Sequence, residues 1–138
     1  MRPSPRSAVS AVSVFDPDLT DRPAVASQLD FADHAEEVPV HRHRKGQLIL
    51  ARRGAVTCTA DNDIWIVPPN CGVWIPGGMP HSARATTNAR LSYLFVEPGA
   101  ALLPDSCCTL SLSPLVREMV DRLAQEPADY PADSHAAR

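Results

Sequence analysis

The stretch HRHRKGQLIL, residues 41–50, places a cluster of basic side chains directly before an apolar run. Side chains on a β-strand alternate between its two faces, so a strand through this stretch puts His41 and His43 on the same face. Gln47 has the same parity as the two histidines. A pair of imidazoles a few ångströms apart is half of a metal site, and the remaining ligands must come from elsewhere in the chain.

A second stretch, PGGMPH at residues 76–81, supplies a third histidine. Its glycines permit a tight turn and its second proline fixes the approach, so His81 begins a new strand. A barrel brings strands that are distant in sequence side by side, and His81 can then meet His41 and His43 inside it. The alternative is a set of polar barrel residues bonded to backbone or water, with Gln47 a buried amide satisfied by its neighbours.

Short strands dominate the pattern from about Val38 to Leu112. The runs GQLILARRG, AVTCTA, IWIV, VWIP, LSYLFV and CCTLSL are separated by corners rich in Pro, Gly, Asn and Asp. About seven or eight strands at spacings of roughly 8–12 residues are typical of a sandwich or barrel. The 14 prolines also favour short strands over long helices.

The sequence pattern changes from short strands to a helix at Ser113, where SPLVREMVDRLAQEP begins. Ser113 is a suitable N-cap and Pro114 suits the first helical position, so the sequence predicts an amphipathic helix over residues 113–126. The next proline, Pro127, ends it. We expect its apolar face to pack on the barrel or on a second subunit of a homodimer, through Leu115, Met119 and Leu123.

Charge and hydropathy exclude several classes of function. The formal net charge of −3 argues against a nucleic-acid surface on this chain, since phosphate backbones require a basic stripe. The basic residues around His43 are typical of a solvated strand edge, or alternatively could attract an anionic effector. We find neither an apolar run long enough to cross a membrane nor a signal peptide, which predicts no membrane partner and a cytoplasmic location.

The other candidate metal ligands fit no site pattern. The spacing of the four cysteines is not that of a zinc ribbon, which predicts reduced thiols at Cys58, Cys71, Cys107 and Cys108. His34 and His135 are predicted to be exposed to solvent.

The histidine motifs resemble those of the cupin superfamily. His41, His43 and Gln47, followed by Gly54, are similar to the first cupin motif, and PGGMPH is similar to the second, which ends here in His81. The resemblance implies a mainly β fold, a double-stranded β-helix of jelly-roll type. It also implies a divalent transition metal (Zn, Ni, Fe, Cu or Mn) held by these three histidines and Gln47. Most metallo-cupins carry Glu in place of Gln47, so weaker metal binding and more positive charge are expected.

A closer resemblance covers residues 30–126. GQLILARRGAVTC, WIVPPNCGVWIPGGMPHS and LSLSPLVREM together look like the amino-terminal effector-sensing domain of AraC-type transcription regulators. The resemblance implies a cupin barrel with a C-terminal α-helix. The predicted parts are a flexible arm (1–22), the barrel (23–112), the helix (113–126) and a linker (127–138) towards a helix-turn-helix domain that is not in this chain.

The predicted function is regulatory and not enzymatic. A small effector would bind in the barrel, directly or through the metal, and the missing domain would contact DNA. Trp74, Tyr93 and Phe95 are candidate residues of the effector pocket, although core packing is an alternative for each. A stand-alone cupin metalloenzyme of the dioxygenase or isomerase type is the second hypothesis, and a metal-free dimerisation module is the third. Gln47 and the lack of a general base near His81 disfavour the enzyme.

Overall fold

The computed structural model describes residues 16–31 and 36–131. Within them the chain forms nine strands. These are β1 (Ala24–Phe31), β2 (Glu36–His41), β3 (Gly46–Arg53), β4 (Val56–Ala60), β5 (Asp63–Ile66), β6 (Cys71–Ile75), β7 (His81–Ala85), β8 (Ala89–Val96) and β9 (Cys108–Ser111). One α-helix, α1 (Pro114–Leu123), follows, and a short 3₁₀ helix (Pro17–Leu19) precedes the strands.

The strands form two antiparallel sheets packed face to face. The five-stranded sheet has the order β1-β8-β3-β6-β9, and the four-stranded sheet has the order β2-β7-β4-β5. Between them lies the main core, built from alternate residues such as Ile49, Val56, Val73 and Leu91, each at most 1% exposed. The architecture confirms the predicted mainly β, jelly-roll cupin fold. The densest part of the sequence pattern begins near Val38, and β1 lies before it.

Helix α1 covers the outer face of the five-stranded sheet. Its N-terminus is capped as predicted, because the Ser113 hydroxyl accepts a hydrogen bond of 3.2 Å from the backbone N–H of Val116. Val120 is buried at 3% exposed, and Leu123 packs beside it. Together with Leu48, Leu50, Trp74 and other outer-face residues they form a second, smaller core.

The predicted apolar face of α1 divides into two parts. Leu123 packs on the barrel, whereas Leu115 is 69% exposed and Met119 is 61% exposed. The barrel therefore uses the end of the helix, and an apolar strip at its beginning stays uncovered in this chain.

The two terminal segments differ from their predictions. Part of the predicted arm, residues 16–22, packs on the barrel, and Pro17 is buried. The predicted linker also begins later than expected, because Tyr130 is only 1% exposed and its hydroxyl donates a hydrogen bond of 2.6 Å to the carbonyl of Ala24. The Arg22 Nε–H donates in turn to the Tyr130 carbonyl at 2.5 Å. Residues 1–15 and 132–138, with His135, and residues 32–35, with His34, lie outside the described residues.

All four cysteines lie in the described part of the chain and are free thiols. Cys107 is buried in the main core and Cys108 packs against the outer one, so these adjacent residues lie on opposite faces. Burial raises the pKa of Cys58 to about 12, which leaves it an unreactive thiol. None of the helices in the described ranges is long and apolar enough to span a membrane.

Candidate functional site

Three separate backbone positions bring the histidines together at one end of the barrel. His41 is the last residue of β2 and His81 is the first residue of β7, and the two are paired across the four-stranded sheet. His43 lies in the turn before β3, and the Gly78 N–H donates a hydrogen bond of 2.8 Å to its carbonyl. The expectation of one strand through both His41 and His43 is therefore wrong: β2 ends at His41, after a register shift that follows Val38.

The imidazoles are spaced as ligands of one ion would be. One ligand atom from each histidine lies within 4.8 Å of the others. The ring centroids of His41 and His81 are 4.4 Å apart, those of His43 and His81 are 5.0 Å apart, and those of His41 and His43 are 5.5 Å apart. Three nitrogen donors at these distances can all bind one transition-metal ion.

Each ring is held by a backbone carbonyl two positions away in the sequence. The Nδ1 atoms of His41, His43 and His81 lie 2.8, 2.9 and 2.9 Å from the carbonyl oxygens of Pro39, Lys45 and Met79, respectively. Because a carbonyl oxygen can only accept, each Nδ1 donates its N–H and each Nε2 keeps a lone pair. This is the tautomer that binds a metal through Nε2, with the other nitrogen fixed by a second layer of hydrogen bonds.

His81 is the most buried of the three, at 3% exposed. Within residues 16–31 and 36–131, its Nε2 atom is buried and has no hydrogen-bond partner. Burial lowers the pKa of His81 to about 4, so the ring is neutral at pH 7. A buried, neutral and unpartnered nitrogen costs free energy unless something binds it, and a metal ion satisfies it. The residues present therefore fit the metal that the cupin motifs imply.

Gln47 completes the predicted set of four. It lies on β3, is 3% exposed, and lines the same cavity of about 420 Å³ as the three histidines. Its register partner on β8 is Phe95. The side-chain oxygen of Gln47 is a neutral donor, weaker towards a divalent cation than a carboxylate would be.

Most of the chain matches a known family of domains. A family model described as the AraC-like ligand binding domain matches residues 27–136. This chain belongs to that family. The AraC-like domain is 47% identical over 124 residues to the HTH-type transcriptional regulator NimR of Escherichia coli (strain K12). The match covers 90% of this chain and 45% of that regulator, so the chain spans less than half the length of its relative.

Solved structures agree on the fold of the AraC-like domain. ToxT from Vibrio cholerae, solved with a bound unsaturated fatty acid, matches with a TM-score of 0.54 at 6% identity, over 75% of this chain and 46% of ToxT. A cupin superfamily protein from Desulfitobacterium hafniense matches with a TM-score of 0.50 at 20% identity, over 56% of this chain and 70% of that protein. The predicted membership and the predicted fold are both confirmed. A ligand-binding family with a transcriptional regulator as relative also agrees with a role that is not enzymatic.

Two of the three predicted pocket aromatics line the cavity of this AraC-like domain. The rings of Tyr93 and Phe95 lie parallel with centroids 5.7 Å apart, and Phe95 meets His43 edge-on at 5.3 Å. The flat aromatic wall therefore stands beside the histidine cluster. The rest of the lining is largely aliphatic on the strands, with Leu29 and Val38 as examples.

The third aromatic, Trp74, lies on the opposite face of the five-stranded sheet. It packs in the outer core, and its indole N–H donates a hydrogen bond of 2.7 Å to the Pro104 carbonyl. On β6 the inward residues are Val73 and Ile75, which belong to the main core. The sequence prediction for Trp74 therefore needs correction, because the alternation of β6 turns it away from the cavity.

Contacts beneath the His43 turn form an anchor that was not predicted from the sequence. Lys45 is fully buried, and its Nζ lies 2.9 Å from the Glu97 carboxylate and donates at 2.8 Å to the carbonyl of Pro17. The Asp18 carboxylate accepts the backbone N–H groups of Arg44 and Lys45 at 2.5 and 3.1 Å. Hydrogen bonds from Arg44 and Lys45 lower the pKa of Glu97 to about 2. Together these contacts fix the turn that carries His43.

Proposed function

We propose that this AraC-like domain senses a small effector with the help of a divalent transition metal. The metal would be held by His41, His43 and His81, with Gln47 as a fourth contact. The observation that carries the proposal is that all three Nδ1 atoms are engaged by backbone carbonyls, which leaves Nε2 as the ligand atom of each neutral ring, in residues whose ligand nitrogens lie within 4.8 Å of one another. Imidazole donors favour Zn, Ni, Cu or Fe, with Mn also compatible, over Mg or Ca.

The metal would supply a charged coordination position at the floor of the cavity. The protein's own contribution is to hold three rings in place, to keep His81 neutral by burial, and to line the remaining space with apolar and aromatic side chains. A cavity of about 420 Å³ accommodates a small organic molecule.

The remaining partners follow from the regulator relationship. DNA would be contacted by a helix-turn-helix domain outside this chain, as the name of the E. coli relative describes for that protein. We expect a homodimer that uses the uncovered strip of α1, with Leu115 and Met119 at its centre. Like bacterial transcription regulators, the protein would act in the cytoplasm. The metalloenzyme alternative has less support, because both the family and the relative are regulatory.

Metal content tests the site. The 138-residue chain is dialysed against Zn²⁺, Ni²⁺ or Co²⁺ and analysed by elemental mass spectrometry, and we expect one ion per chain. His43→Ala should lose the ion, because two imidazoles remain. The matched control is His34→Ala, which removes a histidine outside the set and should retain the ion. Equal metal content in the wild type and both variants would reject the site.

Hydrogen exchange tests the sensing role. Effector binding can influence the attached domain only if it stabilises one arrangement of the domain over another. We therefore expect the metal-loaded chain to exchange its amides more slowly at the His43 turn and in residues 16–24, which contact that turn. If metal slows amide exchange at the three histidines and nowhere else, the chain has a metal site and the proposed sensing role is rejected.

A further inference from the structure

The ligand set at the floor of the cavity carries no negative charge. The donors from His41, His43, Gln47 and His81 are neutral imidazoles and a neutral amide. A divalent cation bound there keeps both of its charges. His81 and Gln47 are each 3% exposed, so on their side that charge would have little water around it and an unpaired ion would be costly, whereas His41 and His43 border the more exposed side.

The acidic residues among the described lining do not belong to the proposed metal site. Among the described lining residues the acids are Asp16 and Asp18, which belong to the 3₁₀ segment at the mouth of the cavity. Asp16 accepts the backbone N–H of Asp18 at 2.9 Å. Asp18 accepts the two backbone N–H groups of the His43 turn. Both acids are therefore engaged with the backbone and neither belongs to the histidine cluster, so the described lining offers the metal no carboxylate ligand.

Two further side chains are suited to an anion. Within the described part of the chain, neither the Gln47 amide nor the Tyr93 hydroxyl makes a hydrogen bond, although both residues are buried and line the cavity. Burial raises the pKa of Tyr93, so its phenol remains a hydrogen-bond donor. N–H and O–H donors in the cavity that would hold the cation match the oxygens of a carboxylate.

The walls define the rest of the ligand. Tyr93 and Phe95 present stacked rings, and Leu29, Val38 and Ala83 add aliphatic surface. These side chains favour a ligand with a flat apolar part, while Ser27 and Arg42 in the same lining offer polar contacts.

We propose that the effector is a small organic anion, in which a carboxylate group binds the metal and a flat apolar body lies against Tyr93 and Phe95. The inference rests on the proposed metal site and adds the chemical class of its ligand. It also assigns a role to Gln47, because an amide at this position leaves to the effector the negative charge that a glutamate would supply internally.

The experiment uses the Co²⁺-loaded 138-residue chain, whose visible absorption bands report changes at the metal. Benzoate, its neutral isostere benzamide, and acetate are titrated separately. We expect benzoate to shift the bands and to bind at least about tenfold more tightly than benzamide, which lacks the charge. Acetate should also shift the bands but bind more weakly than benzoate, because it lacks the ring.

Gln47→Glu provides the decisive comparison. The variant should keep one Co²⁺ per chain and lose at least about tenfold in benzoate affinity, because its own carboxylate neutralises the metal. The matched control is Gln28→Glu, which makes the same charge change at an exposed position on β1 and should bind benzoate as the wild type does.

Each outcome decides the inference. If Co²⁺ binds but benzoate and benzamide are equivalent, or if Gln47→Glu binds benzoate as tightly as the wild type, the anion inference is overturned and the metal site stands. If Gln28→Glu weakens benzoate as much as Gln47→Glu does, the effect is one of overall charge, and the inference fails. If the wild type binds no Co²⁺ at all, the proposed metal site and the anion inference fall together.

Discussion

The two faces of the five-stranded sheet are built from the same strands but serve different purposes. On β3, Gln47 lines the cavity while Leu48, the next residue, is buried in the outer core. On β8, Tyr93 faces the cavity while Ser92, its neighbour, hydrogen-bonds to Asp121 on the helix at 3.0 Å. Consecutive residues thus contribute to the candidate site and to the packing of the helix.

The difference teaches that one strand can carry a candidate ligand site on one face and a stabilising core on the other. The inner face near the histidines holds unpaired polar atoms and an open volume, which cost stability. The outer face is closely packed under α1 and Trp74. Substitutions on the two faces should therefore change different measured quantities.

Gly46→Ala should have the largest effect, on stability alone. A Cβ at Gly46 would lie 2.2 Å from Cη2 of Trp74, whose ring is held by its hydrogen bond to Pro104. We expect a loss of about 3 kcal/mol in the free energy of unfolding, measured in urea, with unchanged metal content of the folded protein. Gly99→Ala is the control, because nothing lies within 4 Å there and only the positive φ of 81° costs about 1 kcal/mol. A variant as stable as the wild type would show that the outer face is loosely packed.

His81→Ala should change metal binding more than it changes stability. Removing one of three imidazoles should weaken metal binding by about 100-fold or more, measured by competition with a chelating dye. The unfolding free energy of the metal-free protein should fall by about 1–2 kcal/mol, because removal of the unpartnered Nε2 offsets part of the loss of ring packing and of the Nδ1 hydrogen bond to Met79. Severe destabilisation without metal would show that His81 is a core residue first and a ligand second.

Glu97→Gln tests the anchor beneath the His43 turn, in which Glu97 pairs with Lys45. The carboxylate pairs with the buried Lys45, so the variant should lose about 1–2 kcal/mol at pH 7, after allowance for the solvent exposure of Glu97. Hydrogen bonds from Arg44 and Lys45 hold the pKa of Glu97 at about 2, well below the ordinary value of a glutamate. A lowered pKa means that the stabilisation is complete above about pH 5 and is lost as the pH falls towards 2. The gap in unfolding free energy between wild type and variant should therefore close over that range.

The control for Glu97 is Glu37→Gln. Glu37 pairs with Arg84 at 2.6 Å, but both side chains are about two-thirds or more exposed. An exposed pair contributes little, so this variant should lose less than about 0.5 kcal/mol at any pH. Equal losses at the two positions would mean that the Lys45 anchor contributes no more than a surface ion pair.

Ser113→Ala should have the smallest effect. It removes the N-cap of α1 and should cost about 1 kcal/mol in unfolding free energy, with faster amide exchange in the first turn and no change in metal affinity. Ser113→Thr keeps a capping oxygen and should restore most of the loss. A change in metal affinity would reveal that the helix and the histidine cluster are coupled through the sheet.

Much of the site was predictable from the sequence because its signals are local. The pair of histidines before GQLILARRG and the turn PGGMPH each specify one part of the cluster, and Ser113 with Pro114 specifies the start of the helix. The helical face was harder to predict, because whether Leu115 packs or remains exposed depends on the direction in which the helix crosses the sheet.

The errors come from registers and from distant partners. Trp74 and Val73 are equally apolar, and a shift of one residue in the start of β6 exchanges their faces. Lys45 lies among exposed-looking basic residues, and its burial depends on Glu97 and Pro17, both remote in sequence. Tyr130 lies between Pro127 and Pro131 in a polar segment, and its burial depends on tertiary contacts such as the hydrogen bond to Ala24.

The hydrogen bonds that orient the histidine rings have an evolutionary consequence. All three acceptors are main-chain carbonyls, so no substitution at Pro39, Lys45 or Met79 can delete the acceptor itself. The side chains at these positions are left free for other tasks, such as the ion pair of Lys45 or the 3.2 Å contact of Met79 with Cys107. Substitutions at these three positions can therefore change the surroundings of the cluster while the backbone still orients the three rings.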